Sequence, residues 1–233
     1  MKRDYTHLEN RWQALSGLTP EPIGKAFGYT IYRILIHHNA PQNVLITTGV
    51  HGDEPAGPEA VLQFFEGTNL KFNFTIFPCL NPWGYVHNSR ENKDKKDINR
   101  SFGDNTVTEA SLVKALLKGQ RFDVYLDLHE DYDAAGFYLY EGKSDEQWIG
   151  SQIIENVQKI GPIDTETDEN DIPLGEGHLM ADPAWGTRGI VSYTQTHHAD
   201  HVFIFETPTE HAIETRVAMH LTALDTVLKY YER

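Results

Sequence analysis

The fold of this chain is decided by the stretch Ile46-Thr47-Thr48-Gly49-Val50-His51-Gly52-Asp53-Glu54. Its apolar, β-branched beginning predicts a buried strand over residues 43–48. The strand stops at a His and a Glu three residues apart, and Gly52 between them permits a tight backbone turn. An imidazole and a carboxylate placed in this way can bind one metal ion together, although His-x-x-Glu alone is a common pattern in helix-start turns.

Two further strand-like runs end on residues of the same chemical kind. Residues 122–128 lead to His129, and residues 202–205 lead to Glu206. If there is no metal site, His129 is a hydrogen-bonded histidine at a strand end and Glu206 is a partly solvated acid near the start of a helix. Ligands of open α/β sheets bind at the carboxyl ends of strands, so one site can gather all these side chains. Two His, one carboxylate ligand and one further carboxylate are the components of a hydrolytic zinc site.

Strand-like runs alternate with helical patterns along the chain, which predicts an α/β layer fold. Strands are predicted at 30–37, 43–48, 71–79, 122–128, 136–140 and 202–205, and helices at 55–65, 109–118 and 145–160. The capping-box pattern Thr207-Pro208-Thr209-Glu210 predicts the start of a last helix that runs to the C-terminus. Residues 161–200 are polar and rich in Gly, Pro and Asp, so we expect mostly loop there.

Composition narrows the classes of function. With 233 residues the chain fits one domain, and we expect residues 1–233 to form a single catalytic unit. There are 34 acidic and 20 basic residues, and a net charge of -14 disfavours nucleic acid or an anionic membrane as a partner.

Cys79 is the single cysteine, which excludes an intrachain disulfide. The N-terminus lacks a signal-peptide pattern and no run is long enough to span a bilayer, so we expect a cytoplasmic protein. The oligomeric state stays open.

A long polar segment, residues 80–102, separates the first of these site regions, which contains His51 and Glu54, from the second, which ends at His129. It is either a solvated connection or an ordered functional loop, since long ordered loops often carry function. Arg90 and Arg100 within it have guanidinium groups that can bind a carboxylate or polarise a carbonyl.

With these residues in place, the chain resembles the zinc metallocarboxypeptidases of the carboxypeptidase A type, together with the murein peptide amidases and the succinylglutamate desuccinylase and aspartoacylase group. The motifs that carry the resemblance occur in family order: His51-Gly52-Asp53-Glu54, Asn81-Pro82-Trp83-Gly84-Tyr85, Asp97-Ile98-Asn99-Arg100-Ser101-Phe102, Leu128-His129 and Phe205-Glu206. One such motif is weak evidence, but five in order are specific. The resemblance implies an α/β fold, a single domain with a mixed, mostly parallel central sheet of about eight strands flanked by helices.

The resemblance also implies a metal site and a base. One Zn²⁺ per chain would be held by His51, Glu54 and His129, with a water in the open position. Glu206 would be the general base for that water. Zinc lowers the pKa of its water to about 7, which makes this chemistry feasible at neutral pH.

Substrate contacts follow from the same resemblance. Arg90 would stabilise the oxyanion, a contribution of roughly 3 kcal/mol to transition-state stabilisation. Asn99 and Arg100 would bind a terminal carboxylate of the substrate. The chain departs from the family in having no tyrosine at the position of the substrate-capping phenol, which falls at 182–185. Tyr193 lies nearer to Glu206 in sequence and is therefore a candidate pocket residue.

A group of histidines stands outside these motifs. His197, His198 and His201, with His178 upstream, either form a second metal site or belong to a solvent-exposed loop before the strand to Glu206, and the loop interpretation is favoured.

We therefore predict a zinc metallohydrolase, a metallocarboxypeptidase or peptide amidase that cleaves an amide bond near the free carboxylate of a small peptide. An N-acyl amino acid deacylase of the desuccinylase/aspartoacylase type is the alternative within the same fold. A metal- or carboxylate-binding protein without catalysis is a further alternative, and the presence of Glu206 argues against it.

Overall fold

The computed structural model describes residues 3–15, 18–67, 71–143 and 147–232. The strands in these ranges are β1 (Pro20–Ala26), β2 (Tyr29–Ile36), β3 (Asn43–Thr48), β4 (Asn73–Phe77), β5 (Phe122–Asp131), β6 (Tyr138–Lys143), β7 (Pro173–Gly175), β8 (His178–Met180) and β9 (Ala199–Pro208). All nine join one sheet in the order β1-β2-β4-β3-β5-β9-β6-β8-β7. The predicted mixed sheet is confirmed, with nine strands where about eight were expected.

The centre of the sheet is parallel. Strands β4, β3, β5 and β9 pair in parallel as neighbours, whereas β1, β2 and β6 join this group through antiparallel pairs. Parallel strands end at the same edge of a sheet. The three strand ends that carry the candidate site residues therefore lie side by side, as the sequence predicted.

Helices cover both faces of the sheet. They are α1 (Tyr5–Ala14), α2 (Ala56–Gly67), α3 (Pro82–His87), α4 (Thr108–Leu117), α5 (Gly150–Val157), α6 (Ile190–His197) and α7 (Ile213–Tyr231). One apolar core packs α1, α2, α5 and α7 against one face, and a second packs α4 and α6 against the other. Successive residues of β3 alternate between the two cores, with Val44 and Ile46 in the first and Leu45 in the second. The apolar run of β3 lacks polar alternation because this strand is buried on both faces of the sheet.

Three parts of the chain differ from the sequence-based expectation. The last helix begins at Ile213, not at the Thr207 capping box, because β9 continues through Pro208 in register with Asp131. Residues 161–200 are not mostly loop, since they contain β7, β8 and α6. At the N-terminus, α1 and β1 form without having been predicted. The predicted helix 145–160 starts outside the described residues, and within its described part, residues 147–160, the observed helix is the shorter α5 (Gly150–Val157).

Candidate metal site and substrate cavity

The three predicted metal ligands meet in the structure. His51 follows β3, Glu54 precedes α2, and His129 lies in β5. The Glu54 carboxylate bridges the two imidazoles, with Oε1 2.6 Å from His51 Nδ1 and Oε2 2.8 Å from His129 Nδ1. All three side chains are buried, and their candidate ligand atoms lie within 4.8 Å of one another. Among the described residues this is the one group with the composition and spacing to hold a metal ion.

Tight backbone packing shapes the turn between His51 and Glu54. A Cβ added at Gly52 would lie 2.0 Å from the carbonyl carbon of Gly84, inside any allowed contact. The same turn is held from the other side by Arg3, whose guanidinium donates to the carbonyl oxygens of Gly52 and Asp53 at 2.6 and 2.8 Å. Glycine at position 52 is therefore required by the close approach of α3.

A carboxylate stands behind each imidazole, the half-buried Asp97 behind His51 and the fully buried Asp127 behind His129. Asp97 Oδ1 lies 3.3 Å from His51 Nε2, and Asp127 Oδ2 lies 3.0 Å from His129 Nε2. Thr47 Oγ1 donates to Asp127 at 2.5 Å. Carboxylates in this position orient metal-binding imidazoles and select the tautomer that frees the inner nitrogen.

Of the two acids that flank His129 in sequence, only Asp127 contacts its ring. Glu130 points away from it, accepts a hydrogen bond from the backbone amide of Ala56 at 2.7 Å and pairs with Arg216. Burial raises the pKa of Glu130 to about 7 even though Arg216 opposes the shift. Glu130 therefore ties the start of α2 to the end of β5 and keeps Glu54 and His129 together.

Charge reinforces this arrangement. Burial by itself would raise the pKa of Glu54, but the facing His129 and His51 lower it to about 2. For His129, burial by itself would lower the pKa, because it disfavours the charged imidazolium. The carboxylates of Asp127 and Glu54 outweigh burial and raise the pKa of His129 well above its ordinary value. The anion at the centre of the group thus stays ionised at neutral pH.

A cavity of about 720 Å³ opens beside these groups. Glu206 lines it from β9, where it pairs in register with His129 on β5 and with Tyr138 on β6. Burial raises the pKa of Glu206 well above its ordinary value, and nearby Glu54 and Asp131 add to the shift while His129 opposes it. A carboxylate with a raised pKa is suited to accept a proton near neutral pH.

The predicted oxyanion-stabilising Arg90 and the predicted substrate-binding residues Asn99 and Arg100, all from the 80–102 segment, also line this cavity. The Arg90 guanidinium lies 3.2 Å from His51 Nδ1 and donates to Asp97 Oδ2 at 3.1 Å. Asn99 accepts a hydrogen bond from the backbone amide of Ile190 at 3.0 Å, which ties this segment to the start of α6. Arg100 is exposed at the cavity wall.

Tyr193 is not one of the residues that line this cavity in the described parts of the chain. Its ring packs 5.7 Å from that of Phe102, with its hydroxyl 3.4 Å from His198 Nε2. The helical turn of α6 directs it into the core on the α4 side. The cavity instead receives Tyr138 and Tyr140 from β6, whose Tyr-Leu-Tyr alternation places both phenols on one face. That alternation was the available signal, and Arg188 is a further lining residue that the sequence did not single out.

The histidine group outside the motifs does not form one cluster. His178 and His201 are buried and meet Glu141, at 2.8 and 2.6 Å from its two carboxylate oxygens. His198 is buried against the Gln120 carbonyl, whereas His197 is exposed. The predicted exposed loop is therefore wrong for three of the four, because β8 and β9 carry His178 and His201 into the sheet and His198 is buried at the end of α6.

Comparison with known proteins assigns the family. A model of the succinylglutamate desuccinylase/aspartoacylase catalytic domain matches residues 40–160, more than half of the chain. The chain belongs to this family. The matched segment of this desuccinylase/aspartoacylase family member contains His51, Glu54 and His129, and Glu206 lies beyond it. No curated protein sequence matches the chain.

Solved structures share the fold. A protein from Shewanella denitrificans OS217 assigned as a metallopeptidase has a TM-score of 0.83 at 22% identity, over 97% of this chain and 88% of its own. The metallo-carboxypeptidase of Burkholderia cenocepacia has a TM-score of 0.71 at 17% identity, over 98% and 68%. Carboxypeptidase A of Helicoverpa armigera has a TM-score of 0.70 at 15% identity, over 97% and 71%. Fold and family together support a metallohydrolase.

Among the described residues, none of the helices has the length and hydropathy that a membrane span requires.

Proposed function

We propose that this desuccinylase/aspartoacylase family member is a zinc-dependent hydrolase that cleaves an amide bond next to the free carboxylate of a small peptide. One observation carries the proposal: two imidazole nitrogens and a carboxylate converge beside a cavity that also holds Glu206 and Arg90. A cavity of about 720 Å³ suits a substrate of a few residues.

The donor set fits a zinc ion. Two Nδ1 atoms and one carboxylate form the His₂Glu ligand set used by catalytic zinc sites. Each imidazole has a carboxylate behind its outer nitrogen, so its inner nitrogen is free to ligate. His51, Glu54 and His129 would hold the ion. When bound, it would supply Lewis acidity that acidifies water and polarises the scissile carbonyl.

The remaining steps fall to the residues of the chain. Glu206 would take a proton from the attacking water at its carboxylate and later give it to the leaving amine nitrogen. Arg90 would donate hydrogen bonds to the oxygen on which negative charge develops, which is worth roughly 3 kcal/mol. Arg100 and the amide group of Asn99 would hold the substrate carboxylate, with paired N–H donors from the guanidinium.

An N-acyl amino acid deacylase is the second candidate, and the family match favours it. Both reactions break an amide bond next to a carboxylate, so the same catalytic residues serve either one. They differ in the group on the acyl side of the bond.

Metal analysis and turnover of a mixed panel test the proposal. We expect about one zinc per chain in the parent protein and loss of that zinc in His51→Ala and His129→Ala. The panel would contain short peptides and N-acyl amino acids, and Arg100→Ala should raise KM for the substrate that is cleaved.

Glu206→Gln is the sharpest variant, because it keeps the shape of the side chain and removes the base. We expect kcat to fall by about 10²-fold or more while zinc stays bound. Glu210→Gln, an exposed acid four residues further on, is the matched control and should keep the parent rate. Parent kcat in Glu206→Gln would show that another group takes the proton.

A further inference from the structure

The cavity beside the candidate metal site is lined by groups of opposite charge from different elements. Guanidinium groups come from the 90–100 segment and from Arg188 before α6. The carboxylate of Asp131 and the phenol of Tyr138 come from β5 and β6. In the sheet, β6 lies beyond β9 as seen from β3, so Tyr138 stands on the far side of Glu206 from His51. A substrate in this cavity therefore meets guanidinium groups as well as the Asp131 carboxylate, and Glu130 and Asp133 are further acidic lining residues.

Asp131 is a held side chain and not a free surface acid. Tyr138 donates its hydroxyl hydrogen to Oδ2 at 2.6 Å, and the Asp133 backbone amide donates to Oδ1 at 2.8 Å. Each carboxylate oxygen retains a further acceptor site. Asp131 follows His129 by two residues on the same strand face, a rise of about 7 Å. Its carboxylate can therefore reach a group only a few bonds away from a carbonyl that is attacked beside His129.

Aromatic rings complete the same wall of the cavity. The rings of Tyr138 and Tyr140 lie 5.7 Å apart, and Trp185 lies 5.2 Å from Tyr140 at an angle of 79°. All three rings line the cavity, and 41% of Trp185 is exposed. A fixed carboxylate next to aromatic faces is the environment that recognises an ammonium group.

We propose that Asp131, held by Tyr138 in a cavity wall that Tyr140 and Trp185 extend, binds a primary ammonium group on the acyl side of the scissile amide. The substrate class is then a short unblocked peptide, with a free amine at one end and a free carboxylate at the other. This inference rests on the proposed function, because it takes Arg100 as the carboxylate end and Glu206 as the centre of reaction. An acyl group without an amine gains nothing from Asp131, and one with a carboxylate is repelled.

Matched substrates test the inference on the zinc-loaded protein. The panel consists of dipeptides with free amino termini and the same dipeptides N-acetylated, so that a charged ammonium group is replaced by a neutral acetamide, and cleavage is followed at the peptide bond that both partners share. We expect kcat/KM for the free amine to exceed that for the acetylated partner by about 10- to 100-fold, the size of a hydrogen bond to a charged group. Asp131→Asn should lose most of this preference. Asp225→Asn, an exposed acid on α7, should retain it.

A second variant and a binding measurement make the result decisive. If Asp131→Asn does not fold, Tyr138→Phe releases the same carboxylate, and the preference should narrow by about 3- to 10-fold. Calorimetric titration of the Glu206→Gln protein with each pair measures binding without turnover. Tighter binding of the free amine with no hydrolysis by the parent protein would keep the subsite and reject the proposed function. Hydrolysis without preference, preference for the acetylated partner, or a preference that survives Asp131→Asn would overturn the subsite.

Discussion

Replacing Asp127 tests the buried carboxylate behind His129. Asp127 is fully buried, lies 3.0 Å from His129 Nε2 and accepts the Thr47 hydroxyl at 2.5 Å. Asp127→Ala removes both contacts and leaves a buried imidazole and a buried hydroxyl without this partner. Hydrogen bonds to a charged group are worth about 1.5–3 kcal/mol each. Breaking a buried ionic pair costs about 3–5 kcal/mol. We therefore expect the free energy of unfolding to fall by about 3–5 kcal/mol.

The same change should weaken metal binding. Asp127 holds the outer nitrogen of His129 and so keeps Nδ1 directed at Glu54. Loss of such a partner typically costs 10- to 100-fold in metal affinity. Asp127→Asn separates the two effects, because the amide fills the same space. It should lose less stability than the alanine variant, yet still bind zinc about 10-fold more weakly, since a neutral amide does not increase the basicity of the imidazole.

Two measurements decide the outcome. Urea denaturation of the metal-free protein gives the free energy of unfolding, and competition with a chelator of known affinity gives the dissociation constant for zinc. Asp123→Ala is the control, since Asp123 lies on the same strand, four residues before Asp127. It accepts a hydrogen bond from the backbone amide of Asn43 at 2.7 Å. Parent zinc affinity in both Asp127 variants would refute the assigned role of the carboxylate.

Three other expectations can be checked with simple assays. Free zinc at 100 times its Kd stabilises the folded protein by about 2.7 kcal/mol, so chelation should lower the Tm of the parent protein by about 5–10 °C. A zinc-dependent Tm shift that persists in His129→Ala would contradict the ligand assignment. Gly52→Ala should cost about 3 kcal/mol or more in urea denaturation, because its Cβ would lie 2.0 Å from the Gly84 backbone, and unchanged stability would disprove the close packing. Burial would raise the pKa of Glu141, but hydrogen bonds from its two histidine partners lower it to about 2. Its stabilisation of up to roughly 3 kcal/mol is therefore present above about pH 4.5 and lost as pH falls toward 2. Glu141→Gln should flatten the fall of the free energy of unfolding in that window, and a fall as steep as in the parent protein would contradict this role of Glu141.

The local sequence pattern was sufficient to predict those strands that are buried on both faces of the sheet. The apolar runs of β3, β5 and β9 were predicted because strands inside a two-faced sheet have almost no polar alternation. The capping-box pattern at Thr207 misled because strand pairing with β5 outcompetes the local preference for a helix start. Strands β7 and β8 were missed because three-residue strands depend on their neighbours for stability.

The sequence by itself determined which residues are the candidates for the site: an imidazole and a carboxylate at one strand end, an imidazole at a second and a carboxylate at a third. Strand order and register decided the rest. They placed Asp127 and not Glu130 behind the His129 ring, brought Tyr138 into the cavity where Tyr193 had been expected, and joined His178 and His201 at Glu141. Such contacts either join residues that are far apart in the chain or depend on the direction in which a side chain points. They are set by long-range packing, which short-range sequence periodicity does not encode.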